Sequence, residues 1–336
     1  MLITSASIFG AQLPNYQLLY ANYPGEFILR DFRFQRSVTL NYSEQDIPLD
    51  FRWSPDGRSI LYMTITDGLY AYQIYDLFER RVTRLDIEST GVLPSWSPDS
   101  QQLTYGSLDG VCTLTMTTLN HSCMGMPQAL FPAWSPDGDR IAYYSDSSMT
   151  LQLLDIETGQ DTRVLKVANV LTLGPFLWSP DSRSLIYHQW ATVQSDDFRD
   201  NLYLLTFNPN EDGTWQANEA VNLTSQQLEA NGSALGYRWS PDGQQFAYTA
   251  YIRALQGIGQ NAVYDLFLYD PSNNTHRRLT DDEPEELDPA WSSDGRWFAY
   301  ISSLGRSPTL VLRDAAADYA VIYSARISSY NLDWRP

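Results

Sequence analysis

The amino-acid sequence predicts an all-β fold, a seven-bladed β-propeller with four antiparallel strands in each blade, and three observations lead to it. The motif Trp-Ser-Pro-Asp-Gly, or a close variant, recurs along the chain. Six of its tryptophans are each followed by a tyrosine nine residues later. Successive tryptophans lie 43, 38, 44, 61, 52 and 43 residues apart, a period typical of propeller blades. The pairs are Trp53/Tyr62, Trp96/Tyr105, Trp134/Tyr143, Trp178/Tyr187, Trp239/Tyr248 and Trp291/Tyr300.

Each repeat contains signals for four short strands. The first strand ends on the tryptophan, as in residues 50–53, and a Pro-Asp-Gly turn follows it. Proline sets φ for such a turn and glycine accepts a positive φ. Residues 59–63, 266–270 and 277–280 illustrate the expected second, third and fourth strands, which are rich in β-forming residues. No long stretch has a convincing 3.6-residue apolar period, so helix should be scarce.

The recurring tryptophan and tyrosine are expected to be architectural. Each blade must fill the same wedge against its neighbour, and large aromatic side chains bury much area per residue between twisted sheets. We therefore assign the Trp-Ser-Pro-Asp-Gly motif to packing and turn formation, without a chemical role.

The two ends of the chain supply the halves of one repeat. Tyr20 has no tryptophan nine residues before it, and Trp334 is followed only by Arg335 and Pro336. The C-terminal strand around Trp334 is therefore predicted to pair with the N-terminal strands and close the ring. Closure removes a free sheet edge that would invite aggregation. These features predict one domain over residues 1–336.

The repeats resemble a known family. Residues 289–295 read Pro-Ala-Trp-Ser-Ser-Asp-Gly and are followed by Phe-Ala-Tyr at 298–300; residues 132–138 and 141–143 follow the same pattern. They resemble the PD40, or WD40-like, repeat of TolB-type propellers. That resemblance covers nearly the whole chain and implies the propeller fold.

The resemblance implies several functions. Family members bind envelope proteins, gate the active sites of prolyl-oligopeptidase relatives and tricorn-like proteases, or form sensor regions of receptor kinases. Seven repeats are expected here where TolB has six, and neither an extra N-terminal domain nor a hydrolase domain is expected within residues 1–336. Fold alone does not decide between such functions.

Composition excludes some partners. The formal net charge is −18, from 40 acidic and 22 basic residues. Nucleic-acid binding depends on phosphate neutralisation by Lys and Arg, and attachment to anionic lipid needs basic clusters, so neither partner is expected. No apolar run approaches the length of a transmembrane helix. The first charged residue is Glu26, so the start lacks the basic region of a signal peptide.

The only two cysteines are Cys112 and Cys123. They flank a predicted hairpin in which they would face each other, at a separation that a disulfide can bridge. A bridge would indicate an oxidising compartment; the alternative is two free thiols. With the family resemblance, the pair leads us to expect an exported protein, periplasmic or at the cell surface.

Four long connections define a predicted recognition surface. Residues 190–200 and 252–262 should join second to third strands, whereas residues 225–236 and 281–288 should join consecutive blades. In a propeller all four extend the same face, and loops on a rigid scaffold often carry binding function. The alternative is variation in loop length without function. The predicted partner-binding residues are Trp190, Asp197, Phe198, Arg199, Arg253, Asp282 and Glu285.

Catalytic and metal-binding signals are missing from the sequence. It contains no Gly-x-Ser-x-Gly nucleophile elbow, no phosphate-binding glycine loop and no zinc-type cysteine pair. The three histidines, His121, His188 and His276, fall in different repeats. The acidic run at 281–288 lacks the ordered ligand spacing of a calcium loop and is interpreted as a solvated loop. We predict no catalytic residue, metal or cofactor.

These observations favour a non-catalytic exported scaffold that uses one propeller face to hold a protein partner in an envelope or cell-surface assembly. Two alternatives remain open. One is a hydrolase or lyase that acts on a glycan or lactone through carboxylates in the central channel. The other is a ligand-sensing module of a larger receptor.

Overall fold

The chain folds as a seven-bladed β-propeller with four antiparallel strands in each blade, as the sequence predicts. The computed structural model describes residues 7–8, 16–22, 26–41, 48–87, 91–166, 170–194, 197–209, 215–224, 234–252, 263–281, 285–304, 307–327 and 331–336. Within these ranges helix is limited to one short 3-10 turn, Ala315–Ala317.

The strands follow one another along the chain. The first eight are β1 (Ser7–Ile8), β2 (Gln17–Asn22), β3 (Glu26–Asp31), β4 (Arg36–Asn41), β5 (Pro48–Trp53), β6 (Ser59–Thr66), β7 (Leu69–Asp76) and β8 (Arg81–Leu85). The next eight are β9 (Ser95–Trp96), β10 (Gln102–Ser107), β11 (Gly110–Thr115), β12 (His121–Met124), β13 (Ala129–Trp134), β14 (Arg140–Ser145), β15 (Thr150–Asp155) and β16 (Asp161–Lys166). Then come β17 (Val170–Trp178), β18 (Ser184–Gln194), β19 (Asp197–Pro209), β20 (Trp215–Ala217), β21 (Val221–Asn222), β22 (Ala234–Trp239) and β23 (Phe246–Ile252). The last are β24 (Val263–Asp270), β25 (Thr275–Arg278), β26 (Glu285–Trp291), β27 (Trp297–Leu304), β28 (Ser307–Asp314), β29 (Ala320–Arg326) and β30 (Leu332–Trp334).

The described residues belong to two compact units. The first lies within Met1–Trp53, Gly57–Arg84 and Ala234–Pro336, and the second within Ser54–Asp56 and Leu85–Ser233. The first unit holds blade 1 (β30-β2-β3-β4), blade 2 (β5 to β8), blade 6 (β22 to β25) and blade 7 (β26 to β29, with β1 at its edge). The second holds blade 3 (β9 to β12), blade 4 (β13 to β16) and blade 5 (β17 to β20, with β21 on β19).

Blade 1 joins the two ends of the chain. Strand β30 pairs antiparallel with β2, and Trp334 lies opposite Leu18. Tyr20 and Trp334, the two residues without a partner in the sequence pattern, thus belong to one sheet. This pairing confirms the predicted ring closure. The sequence did not predict β1, a two-residue strand in which Ser7 pairs with Ser324 at the outer edge of blade 7.

The serine of the repeat motif stabilises the turn after each first strand. In the six turns, its hydroxyl donates to the aspartate two residues later at 2.5 to 2.6 Å. In blade 3, for example, the Ser97 hydroxyl also accepts the backbone N–H of Gln102 at 2.8 Å. Local side-chain bonds of this kind fix turns, which agrees with an architectural role for the motif.

The aromatic residues of the repeat form the core. The tyrosines Tyr62, Tyr143, Tyr187 and Tyr248 are almost fully buried. Within the second unit, the Trp178 indole of blade 5 donates to the Ala133 carbonyl of blade 4 at 3.0 Å. The Trp334 indole of blade 1 likewise donates to the Ala290 carbonyl of blade 7 at 3.2 Å. The indole N–H groups of the other five repeat tryptophans are buried without a partner among the described residues: Trp53, Trp96, Trp134, Trp239 and Trp291.

One predicted loop is a β-ribbon. Residues 190–200 were expected to be a loop, but β18 and β19 stay paired from Ser184 and Thr206 outward to Gln194 and Asp197. The two strands are 11 and 13 residues long. In the other blades the second and third strands have six to eight residues, so this hairpin extends beyond the common length of the repeat.

Candidate functional site

Five charged side chains of the first unit meet on the first strands of four blades. They occupy two positions of the repeat, one or three residues before the tryptophan. Blade 2 contributes two of them, and blades 1, 6 and 7 contribute one each. We call this set the inner-strand charge cluster: Asp50, Arg52, Arg238, Asp288 and Asp333.

Asp50 and Arg52 form an ion pair on β5. Arg52 Nη1 donates to Asp50 Oδ1 at 2.7 Å and to the Phe51 carbonyl at 2.6 Å. Both side chains are partly buried, with 33% of their surface open. We call the partly open surface that the cluster side chains form the recess. Burial opposes the charge of Arg52, but the carboxylates around it outweigh burial and raise the pKa of its guanidinium.

The other two aspartates each accept a backbone bond from the next blade. Asp288 Oδ2 in blade 7 accepts the Leu332 N–H of blade 1 at 2.6 Å. Asp333 Oδ2 in blade 1 accepts the Trp53 N–H of blade 2 at 3.1 Å. Burial raises the pKa of Asp288 to about 6, against the opposing effect of Arg238 and Arg52. Burial likewise raises the pKa of Asp333.

Arg238, on β22 of blade 6, is the least satisfied member of the cluster. Burial and then the neighbouring charge of Arg52 lower the pKa of its guanidinium, although three carboxylates act in the opposite direction. Its Nη2 atom is buried and has no hydrogen-bond partner among the residues that the structure describes. A buried donor without a partner is costly.

The backbone is irregular where the cluster forms. Asp288 has φ 50° and Gly236 has φ 51°, each three residues before its tryptophan and each at a shift in strand register. Positive φ is uncommon for a residue other than glycine. Such bulges redirect side chains. The same bulge occurs in blade 4, where Phe131 has φ 54°, so it belongs to the repeat and not to the cluster alone. A Cβ on Gly236 would lie 3.4 Å from the Asp288 backbone nitrogen, so the two bulges fit closely together.

The chemistry of the cluster follows from these positions. Asp288 can hold or release a proton near neutral pH, because its pKa is about 6. Arg238 can donate hydrogen bonds to an acceptor that enters the recess. The sequence analysis did not predict these residues, although the sequence contains a signal for them. The residue before the tryptophan is charged at Arg52, Arg238 and Asp333, whereas Ser95, Ala133, Leu177 and Ala290 occupy that position elsewhere.

The predicted partner-binding residues fall in separate parts of the chain. Trp190, Asp197, Phe198 and Arg199 all lie in the β18–β19 hairpin, where Trp190 faces Asp200, Ala191 faces Arg199 and Thr192 faces Phe198 in backbone register. Glu285 begins β26 opposite Ser303 and is partly buried. Arg253 and Asp282 lie outside the described residues, as do most of the predicted connections 225–236 and 252–262.

The two cysteines face each other in blade 3. Cys112 on β11 is opposite Cys123 on β12, and a disulfide joins them with a Cα–Cα distance of 4.0 Å. Cys112 is buried and Cys123 is exposed. The bridge therefore ties the outer edge strand of the blade to the strand inside it.

Two of the three histidines serve the tyrosines of the repeat. Tyr105 Oη and His121 Nδ1 lie 2.7 Å apart, and Tyr248 Oη and His276 Nδ1 lie 2.8 Å apart. Burial lowers the pKa of His276. In blade 4 an aspartate takes the corresponding place, because the Tyr143 hydroxyl donates to Asp161. Histidine in a fourth strand is thus one of several partners for a buried tyrosine hydroxyl.

In the described part of the chain, no three His, Cys, Asp or Glu side chains are grouped as a metal site would require. Among the described residues, no helix has the length and apolar character needed to cross a membrane.

Comparisons with known proteins agree on the fold. No protein-family model matches the chain. The uncharacterised protein Atu1656 of Agrobacterium fabrum is 29% identical over 113 residues, which are 34% of this chain. The match spans only 35% of that relative's length.

Solved structures of propellers resemble the whole chain. An oligogalacturonate lyase in complex with manganese is 17% identical, with a TM-score of 0.62 over 98% of this chain and 86% of that one. A candidate 6-phosphogluconolactonase from Bacteroides uniformis is 11% identical, with a TM-score of 0.59 over 96% and 100%. TolB from Acinetobacter baumannii is 16% identical, with a TM-score of 0.49 over 96% and 83%. At such identities, the first two likenesses show a shared β-propeller fold.

Proposed function

We propose that the chain is a non-catalytic exported scaffold that holds a protein partner through one propeller face, in an envelope or cell-surface assembly. The observation that supports this most is the long β18–β19 hairpin, which carries Trp190, Asp197, Phe198 and Arg199. Its backbone is paired almost to the tip, between Gln194 and Asp197.

A paired ribbon suits recognition better than a free loop. Binding costs less conformational entropy when the backbone is already ordered. Strand β17 supports the base of the ribbon, because Val170 pairs with Ala191 and Thr172 with Trp190. Tryptophan and arginine are among the residue types that most often dominate interface energies. The ribbon therefore offers suitable side chains on a preorganised backbone.

The disulfide supports the proposed location. Disulfides persist in oxidising compartments and are rare in the cytosol. The Cys112–Cys123 bridge is compatible with a periplasmic or cell-surface protein. The net charge of −18 also fits a partner other than nucleic acid.

Affinity capture followed by direct binding measurement tests the scaffold proposal. Immobilised chain is incubated with envelope extract of the native host, and a captured protein is then purified for titration. We expect Trp190→Ala, Phe198→Ala and Arg199→Ala each to weaken its affinity at least about tenfold, as loss of a hot-spot residue does. Phe78→Ala and Arg277→Ala, at exposed positions of the first unit, are the matched controls. Full affinity in all three hairpin variants would refute the proposal.

The charge cluster favours a second candidate function, a hydrolase or lyase that acts on a glycan or lactone. Asp288, with a pKa of about 6, can exchange a proton at neutral pH, as a general acid or base must. Arg52 and Arg238 can stabilise negative charge that develops in the substrate. The lyase and the candidate lactonase among the similar structures suggest those substrate classes.

Turnover assays separate the two functions. The chain is incubated with oligogalacturonate and with gluconolactone, and product formation is followed for the wild type and for Asp288→Asn. The enzyme hypothesis expects turnover that Asp288→Asn reduces at least about a hundredfold, the usual contribution of acid–base catalysis. Turnover that Asp288→Asn leaves unchanged would exclude Asp288 from the chemistry.

A further inference from the structure

We propose that the inner-strand charge cluster is a binding site for a ligand with a free carboxylate, which Arg238 receives in the recess of the first unit. The site is separate from the β18–β19 hairpin and does not depend on the scaffold function. Two features of the cluster support it: the Nη2 donor of Arg238 has no partner in the described part of the chain, and the neighbouring carboxylates already bond to other groups.

Arg238 has a donor to offer. Its Nη2 atom is buried without a partner in the described part of the chain. The planar guanidinium presents parallel N–H groups that match a carboxylate in two-point geometry. A ligand oxygen at Nη2 would remove the cost of an unsatisfied buried donor.

The carboxylates of the cluster already have other partners. Asp50 Oδ1 bonds to Arg52 at 2.7 Å. Asp288 and Asp333 each use one oxygen to hold a backbone N–H of the following blade. These three carboxylates lower the electrostatic potential around Arg238, but the hydrogen bonds named here join them to other groups.

Charge selects among ligand classes. With all five groups ionised, the three aspartates outnumber the two arginines and the cluster carries a net charge of −1. When Asp288 is protonated the cluster is neutral, and one bound carboxylate then restores the charge that the proton removed. A multiply charged anion such as phosphate would exceed that charge, so a monocarboxylate is the best match to the protonated form.

Asp288 makes the site dependent on pH. The titratable and charged groups that act on it are Arg238, Arg52 and Asp50, and Asp333 completes the set around both arginines. Protonation of Asp288 removes one negative charge from the surroundings of Arg238. Carboxylate binding should therefore strengthen as the pH falls through about 6.

Calorimetric titration with lactate tests the proposal, because lactate stays ionised between pH 5.5 and 7.5. Lactamide, which has no carboxylate, and glycerol, a neutral polyol, are the ligand controls. We expect lactate to bind and both controls to fail. If only the form with protonated Asp288 binds, the affinity at pH 5.5 exceeds that at pH 7.5 by about 25-fold.

Protein variants locate the site. Arg238→Gln should weaken lactate binding at least about tenfold, as loss of a charged hydrogen bond does, and Arg238→Lys should restore it only in part. Asp288→Asn should make lactate affinity independent of pH. Arg277→Gln removes a half-exposed arginine of the same unit and should change nothing. Circular dichroism and thermal unfolding establish that each variant is folded.

Three results would overturn the proposal: no lactate binding at either pH, equal binding of lactamide or glycerol, or unchanged affinity in a folded Arg238→Gln variant. The first two arms use the wild-type chain, so a misfolded variant does not prevent the test. If the Arg238→Gln variant captures the protein partner with wild-type affinity, the scaffold proposal stands whatever the lactate result is. The two proposals can therefore fail independently.

Discussion

The backbone N–H of Trp53 donates to Asp333 Oδ2 at 3.1 Å, although the two residues lie 280 positions apart. The bond joins the first strand of blade 2 to the last strand of the chain. Leu332 makes the equivalent bond to Asp288 of blade 7 at 2.6 Å. Two aspartates of the cluster thus connect the first strands of three consecutive blades, in addition to any part they take in binding.

Asp333→Ala should destabilise the protein by about 1–3 kcal/mol, the cost of leaving a buried polar group without its partner. The change removes the acceptor of the Trp53 N–H and also a carboxylate beside Arg52. Denaturant unfolding followed by tryptophan fluorescence measures the difference in free energy of unfolding.

Asp333→Asn is the matched variant, because its amide oxygen can still accept the Trp53 N–H. Burial raises the pKa of Asp333, so the loss of its charge should not destabilise the protein near neutral pH. Asp318→Asn removes an ion pair from a side chain that is 82% exposed and keeps a residue type that tolerates the left-handed backbone at this position, φ 53°, so it should have almost no effect. Equal losses for Asp333→Ala and Asp318→Asn would show that the bond contributes nothing.

The sequence was sufficient to predict the blades because the repeat encodes them locally. Trp, Ser, Asp and Gly recur at fixed spacing, and the structure shows the serine and aspartate bonded in six turns. Ring closure was predictable for the same reason, since Tyr20 and Trp334 each lacked half of the pattern.

The candidate site was harder to predict, because its members are distant in sequence and lie inside the repeat. Asp50, Arg238 and Asp288 meet only after four blades assemble and after bulges redirect two of the strands. The length and the charged residues of 190–200 are typical of a loop, and the sequence therefore predicts one there. In the structure these residues form a hairpin, because β18 and β19 remain paired out to Gln194 and Asp197.

Asp288→Asn should stabilise the protein near pH 7.5 and have little effect near pH 4. An aspartate in an unfolded chain titrates near 3.9, whereas Asp288 in the folded protein titrates at about 6. Between these values the folded state holds more protons than the unfolded state, so its stability falls as the pH rises and stays lower above pH 6. The gain at pH 7.5 should be about 2–3 kcal/mol.

The comparison needs the difference between variant and wild type at each pH, because other carboxylates titrate as well. Asp137 and Asp155, for example, have lowered pKa values, through bonds to Ser135 and Thr158 among other causes, and they act in the opposite direction. Asparagine also tolerates the left-handed backbone. A gain of the same size at pH 4 and pH 7.5 would contradict the assigned titration.

Reduction of the Cys112–Cys123 bridge should lower the free energy of unfolding by about 2–3 kcal/mol, which is the value expected for a loop of this length. The two cysteines are 11 residues apart, so the closed loop is short. Thermal unfolding of the wild type with and without dithiothreitol measures the effect.

The double variant Cys112→Ser/Cys123→Ser is the control, and dithiothreitol should not change its unfolding. Thiol labelling of protein taken from the native host then tests the proposed compartment. Two labelled cysteines without prior reduction would argue against export, whereas protection of both would support it.

Gly106→Ala should cost about 3 kcal/mol, at the upper end for overpacking of a core. A Cβ on Gly106 would lie 2.2 Å from the Ala129 carbonyl oxygen and 3.3 Å from the Leu130 Cα. Both are backbone atoms of β13, so relief requires the first strand of blade 4 to move away from blade 3.

Gly159→Ala is the matched control, because no atom lies within 4 Å of its added Cβ. Only the left-handed backbone of Gly159, φ 68°, opposes this change, and it should cost about 1–2 kcal/mol. Hydrogen exchange should locate the loss in Gly106→Ala at the amides of β13. If the two variants lose equal stability and exchange at β13 is unchanged, the close approach of these blades does not limit the residue at position 106.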